Sequence, residues 1–247
     1  MAEKLSDNSS DVQGTAVYST VMKEHVLPQA GSAPAAPAAA RHGAVNAVLT
    51  RALDVTLCVI ALAFLAPILV LVTLLVFVTD PGPVFFAHRR IGRGGVAFPC
   101  LKFRTMVVNA EERLQALLAS SAEHRAEWAR DHKLKDDPRI TSIGSFLRKS
   151  SLDELPQLFN ILMGDMSIVG PRPIVLAEVS RYGRYFEDYC TVRPGLTGVW
   201  QISGRNDVTY RRRVAMDVAY ARTKSVALDM RVILLTIPAV LKAKGSY

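Results

Sequence analysis

Residues 54–80 read DVTLCVIALAFLAPILVLVTLLVFVTD, and none of the 25 positions from Val55 to Thr79 is charged. An apolar run longer than ~18 residues is long enough to cross a bilayer as a helix. Pro67 stands at its centre, where a proline removes one backbone hydrogen bond and bends the helix. Both flanks are basic, with Arg41 and Arg51 before and His88, Arg89, Arg90 and Arg93 after. Positive flanks favour the cytoplasmic side, so both ends of the run are drawn to one face. The expectation is a proline-broken re-entrant helix hairpin over residues 46–80, with backbone near the break satisfied locally by Thr56 or Thr73. A plain span and a buried soluble helix are the alternatives.

Outward from this segment the chain is uneven. It has 247 residues, half of them hydrophobic, and a net charge of +8. That length suits one good-sized domain with appendages. Residues 1–50 hold three Lys/Arg and four Asp/Glu, so the remainder carries +9. A basic body calls for anionic partners: a phospholipid surface, nucleic acid or phosphorylated substrates. Cys58, Cys100 and Cys190 are far apart and lack C-x-x-C spacing, which argues against a disulfide framework or a zinc site and fits a reducing compartment. Residues 1–45 mix polar residues with an Ala/Pro run. They hold too little apolar surface to offset ordering entropy and are expected to form a disordered tail. They carry no apolar core of a secretory signal.

Residues 81–247 are expected to form the folded body with interfacial helices, in an α+β, mostly helical fold with a small β-hairpin. Asp80-Pro81-Gly82-Pro83 stops any helix. Residues 84–87 read as a strand, 89–95 as a basic glycine-rich turn and 96–103 as the return strand. Lys102 and Arg104, two apart, face one side of such a strand and together could grip a diphosphate. Residues 109–133 read as an amphipathic helix broken near Ser120-Ser121, with Trp128 packing and His124 and His132 on the surface. Tyr182, Tyr185, Phe186 and Tyr189 have helical spacing and read as core. Residues 193–205 are glycine-rich around Gln201, so backbone could approach a nucleotide there. A helix is expected over 208–223, with Arg211, Arg212 and Arg213 on headgroups. The apolar residues 232–241 are too few to span and read as an interfacial helix.

The chemistry concentrates at Ser151-Leu152-Asp153-Glu154-Leu155-Pro156-Gln157-Leu158. The plain reading is a capping box, Ser151 against Glu154, with Asp153 a first-turn acid at a helix start. The functional reading uses the same place differently. Adjacent carboxylates suit Mg²⁺, which takes one or two of them plus substrate phosphates. Arg148 can neutralise phosphoryl oxygens, and a carboxylate can be the nucleophile. Arg172, between Pro171 and Pro173, has little backbone freedom and suits a preorganised anion contact.

With these motifs in order, the chain resembles the bacterial sugar transferases, the polyprenyl-phosphate hexose-1-phosphate transferases. The matching stretches include Arg51-Ala52-Leu53-Asp54, Gly82-Pro83-Val84-Phe85-Phe86, Lys102-Phe103-Arg104-Thr105-Met106, Asp137-Pro138-Arg139-Ile140-Thr141, the Ser151–Leu158 stretch, Gly164 to Pro173 and Arg193 to Arg205. The resemblance implies a monotopic enzyme with Pro67 at the membrane break, a nucleophilic Asp153 with Glu154 beside it, and Mg²⁺ bound at this pair. It puts Arg148, Lys102 and Arg172 on phosphate or nucleotide. Arg104, Arg193 and Gln201 complete the expected substrate contacts. The expected reaction moves hexose-1-phosphate, galactose or glucose, from a UDP-sugar to polyprenyl (undecaprenyl) phosphate, releasing UMP and initiating exopolysaccharide synthesis. The expected location is the bacterial cytoplasmic membrane, with the catalytic domain on its cytoplasmic face. Expected partners are the UDP-sugar, the lipid phosphate, the phospholipid membrane and a second copy in a homodimer, with no nucleic acid. The rival class is a non-catalytic basic membrane-associated assembly protein.

Overall fold

The computed structural model describes residues 37–131, 133–203 and 208–241. The expected tail lies, over 1–36, outside them. Helix α1 (Pro37–Thr79) opens the described chain. Its part Val45–Thr79 is long and apolar enough to cross a membrane, and only 11% of its most apolar stretch is buried. Phe64, Val70, Leu71, Leu74, Phe77 and Val78 all face outward, so this protein is membrane-associated. Two separate helices were expected about Pro67, but helical conformation continues through it. A proline costs one hydrogen bond and bends a helix without having to end it.

The inner face of α1 lies on the body. Cys58, Leu62 and Leu65 pack with Phe98, Cys100, Leu158 and Ile161. Past the proline, Leu69, Val72 and Val76 pack with Phe103, Leu147, Leu152 and Leu155. Polar ties fix both ends. Buried Asp54 accepts from the Ser167 hydroxyl at 2.8 Å and the Ile168 amide at 2.9 Å. Arg51 donates to the carbonyls of Ile161 and Leu162. Asp80 pairs with Arg104 at 3.3 Å.

Strands β1 (Phe85–Ile91) and β2 (Ala97–Phe103) form the expected antiparallel hairpin, Phe85 opposite Phe103 and Ile91 opposite Ala97. The turn is tighter than expected. Arg89 and Arg90 belong to the strand, and Gly94 and Gly95 take positive φ at the reversal. The long polar helix divides where expected, into α2 (Ala110–Ser120) and α3 (Ala122–Asp131), with Ser121 extended between them. Arg139 lies over the Trp128 ring and pairs with Asp137 at 2.7 Å.

Helices α4 (Ser142–Ser150) and α5 (Gln157–Met163) flank the acidic pair. Then β3 (Ser167–Val169) pairs in parallel with β4 (Gly195–Thr197). The tyrosine-rich segment is core as expected but not one helix. It is a run of short turns, including α6 (Val179–Tyr182) and α7 (Phe186–Cys190), with Gly183 at φ 51 between them. Tyr182 and Tyr189 are buried with Ile91, Ile174, Val214 and Val218. Short α8 (Val199–Ile202), α9 (Tyr210–Thr223) and α10 (Val226–Leu241) close the chain. The last is longer than the ten residues expected, and Leu234, Leu235 and Ile237 are exposed on it.

Candidate active site

The acidic pair is held by apolar neighbours. Thr141 caps α4 by accepting from the Gly144 amide at 2.9 Å. The helix ends at Ser151, the one non-glycine residue with positive φ among the described residues, φ 59 and ψ 17. A left-handed residue at this position terminates a helix and turns the chain. A single 3-10 turn follows, Leu152–Glu154. Leu152 and Leu155 enter the apolar cluster of Val72, Val76, Phe103 and Leu147, while the carboxylates between them face β2.

This corrects the capping-box reading. The Ser151 side chain caps nothing in this turn, and Glu154 reaches Lys102 and Arg172 instead. The pair also does not open a regular helix, because α5 begins three residues later, at Gln157.

Lys102 Nζ lies 2.8 Å from Glu154 Oε1 and 3.3 Å from Asp153 Oδ2. The Arg172 guanidinium lies 3.4 Å from the same Glu154 oxygen. Arg148 donates to the Thr105 hydroxyl at 2.9 Å and is close enough to Asp153 to stabilise its charge. Lys102, Glu154 and Arg172 line a shallow pocket with Arg90, Cys100, Gln157, Pro173, Gly195 and Leu196, and Asp153 lies buried against Lys102 at its edge.

The two carboxyls titrate apart. Burial pushes Asp153 above the ordinary carboxylate range; Lys102 opposes this and the Glu154 charge adds to it. Burial also works to raise Glu154, but Arg172 and Lys102 together hold it below its ordinary value. Adjacent carboxyls driven in opposite directions are a common arrangement where one reacts and the other stays charged.

Asp153, Glu154, Lys102, Arg148 and Arg172 therefore come together as expected from sequence. Three other residues named there are engaged elsewhere. Arg104 lies past the end of β2 and binds the Asp80 carboxylate and carbonyl, fastening the exit of α1. Arg193 donates to Gly164 O at 2.7 Å. There it joins Arg51 at the carbonyl end of α5, where free C=O groups and the helix dipole attract cations. Gln201 donates to Leu196 O at 3.2 Å, behind the pocket wall.

Of the glycines expected near a nucleotide, Gly195 lines the pocket and both it and Gly198 press on the backbone of Gly170: a Cβ on Gly195 would fall 2.1 Å from Gly170 N and one on Gly198 2.4 Å from Gly170 O. Arg90 was read from sequence as part of the basic flank and turn, not as a residue of the site. The hairpin register could have found it: Phe86 pairs with Lys102 and Arg90 with Phe98, so Arg90 shares a face with Lys102.

Two adjacent carboxylates supply hard oxygen donors, a chemistry that fits Mg²⁺ once substrate phosphates complete the shell. Among the described residues no cluster of three or more His, Cys, Asp or Glu could hold a metal without such help.

An apolar helix on the flank of a basic, carboxylate-bearing pocket defines a membrane-associated enzyme acting on phosphorylated substrates. The family model for bacterial sugar transferases matches residues 45–243. The chain is 50% identical over 203 residues to the exopolysaccharide production protein ExoY of Sinorhizobium fredii, covering 82% of this chain and 90% of that one. It is 47% identical over 199 residues to the undecaprenyl-phosphate galactose phosphotransferase of Salmonella typhimurium, covering 81% of this chain and 42% of the other. A UDP-glucose:undecaprenyl-phosphate glucose-1-phosphate transferase of Escherichia coli is 36% identical over 211 residues, with 82% and 42% covered. The chain belongs to the bacterial sugar transferase family.

Proposed function

We propose that this protein transfers hexose-1-phosphate from a UDP-sugar to polyprenyl phosphate. The observation that carries the reading is the buried Asp153, raised in basicity, held against Lys102 beside a charged Glu154. The names of the relatives point to galactose or glucose as the sugar.

In the proposed course, an Asp153 oxygen attacks the sugar-bearing phosphorus. The bond from that phosphorus to the bridging oxygen breaks, and UMP leaves with the electron pair. The lipid phosphate oxygen then attacks the same phosphorus, and the Asp153 carboxylate departs. Lys102 and Arg172 hold the negative oxygens that develop, and Arg148, fixed by Thr105, faces the same centre. Glu154 and Asp153 are the residues that would hold Mg²⁺ together with the diphosphate, and the ion would supply charge neutralisation at the phosphates. Release of UMP from a panel of UDP-sugars with a short polyprenyl phosphate tests this. Turnover in the wild type, with loss of about a thousand-fold or more in a folded Asp153→Asn, is expected for a lost nucleophile. Full activity in that variant refutes the assignment.

The membrane segment is proposed to be re-entrant, with the body on the cytoplasmic face. What supports this is that both ends of the run, at Arg51/Asp54 and at Asp80, are tied to the same body. A span would carry one end across the bilayer. Single cysteines at the exposed Val45 and Val96 should react with an impermeant thiol reagent from the cytoplasmic side only. Labelling from opposite sides defeats the hairpin.

A further inference from the structure

Arg172 is the only cation of the site carried on a turn between two prolines. Prolines have no N–H to donate, so the turn is fastened chiefly through its carbonyls. Gly195 N donates to Pro171 O at 2.8 Å. Arg90 donates to Pro173 O at 3.2 Å. Ile91 N donates to Ile174 O at 2.8 Å, an isolated antiparallel bridge between the end of β1 and the residue after the turn.

The other side of that bridge runs through a side chain. The Tyr189 hydroxyl donates to Ile91 O at 2.6 Å and accepts from Ile174 N at 3.4 Å. Tyr189 is 1% exposed and is not part of the pocket wall. Its ring is fixed by edge contact with Tyr182 and by stacking on Phe186. The hydroxyl thus completes a two-strand junction that a shorter or apolar side chain would leave open, with a buried carbonyl unsatisfied.

We propose that Tyr189 is a positioning residue for Arg172. It locks Ile91 to Ile174, and together with the Arg90 clamp on Pro173 this sets where the Arg172 guanidinium stands over Glu154 and the transferring phosphate. The inference rests on the sugar-phosphate reading of the pocket and adds a residue on α7 that touches no substrate.

A double-mutant cycle on kcat/KM for the UDP-sugar tests it, with thermal melts confirming that each variant folds. Tyr189→Phe removes only the hydroxyl. It should lower kcat/KM about ten-fold in the wild-type background, a usual size of coupling between interacting residues. In an Arg172→Ala background it should change kcat/KM less than about two-fold, because the group it positions is gone. Arg90→Met is the second variant, acting on the same turn while leaving the aromatic core intact, and it should show the same loss of effect in Arg172→Ala. Equal losses in both backgrounds mean general structural damage and overturn the proposal, as does wild-type kinetics in Tyr189→Phe. Wild-type protein that releases no UMP sinks the sugar-phosphate reading and this one with it. Wild-type turnover with an additive cycle sinks this one alone.

Discussion

A Cβ built on Gly144 would fall 1.9 Å from the carbonyl oxygen of Thr105. The first turn of α4 is therefore pressed directly onto the backbone that follows β2. The Thr141 amide donates to the same carbonyl at 3.1 Å, and Arg148, two turns of sequence further on, donates to the Thr105 hydroxyl. Helix α4 ends at the acidic pair, so this contact sets how the pair meets Lys102. In an open helix, Gly→Ala stabilises by about 0.5–1 kcal/mol. At Gly144 the sign should reverse, with a loss of about 3 kcal/mol from overpacking against rigid backbone. Chemical or thermal denaturation of Gly144→Ala measures it, and a gain in stability contradicts the close packing.

Lys102 opposes the rise of the Asp153 carboxyl produced by burial. If ionised Asp153 is the nucleophile, kcat/KM falls on the acid side as that carboxyl protonates. A cation favours the charged form, so removing it raises the carboxyl further. Lys102→Gln should shift the acid limb of the kcat/KM profile to higher pH, on top of its loss in rate. A limb that stays in place, or moves down, separates Lys102 from the titration of Asp153.

Much of the site was legible because several determinants are local. The hairpin followed from a strand, glycine turn and strand, and alternation put Lys102 on a definite face. The constraint on Arg172 followed from its two prolines. Long-range competition hid the rest. Arg104 and Lys102 look equivalent in sequence, but the strand ends at Phe103 and Asp80 takes Arg104. Arg193 looks like an anion contact, yet the carbonyl end of α5 satisfies it. Which carboxylate or carbonyl reaches an arginine first depends on packing that no spacing encodes. Ser151-x-x-Glu154 failed as a capping box for a related reason: cations from two other segments bind Glu154.

The backbone at Ser151 offers a direct check on that correction. With φ at 59, Ser151 occupies a region that glycine enters without steric cost. Ser151→Gly should therefore leave stability unchanged or raise it by up to about 1 kcal/mol. A β-branched replacement, Ser151→Val, should cost about 1–3 kcal/mol through backbone strain. The capping box predicts instead that every variant loses stability with the serine oxygen, Ser151→Ala by about 1 kcal/mol and Ser151→Gly by a few tenths. Urea titrations of the three variants in one detergent decide between the two.

Behind the pocket wall, Tyr182 donates to the buried carboxyl of Asp217 at 2.7 Å. Burial pushes Asp217 up to about 7, although the Tyr182 bond and the charge of Arg213 work against it. An unfolded chain has this carboxyl near 3.9. Between these values the folded protein keeps a proton that the unfolded chain has lost, so stability falls as pH rises. For one group the whole effect is about 4 kcal/mol at most, spread between pH ~4 and ~7. Asp217→Asn cannot titrate but keeps an oxygen for the Tyr182 hydroxyl. The stability difference between the variant and the wild type should therefore move steadily in favour of asparagine from pH 4 to pH 8 and then level off. Melting temperatures measured across that range in detergent give the difference directly. Parallel curves for the two proteins would mean that Asp217 is ionised in the folded state throughout, with Arg213 and Tyr182 outweighing its burial.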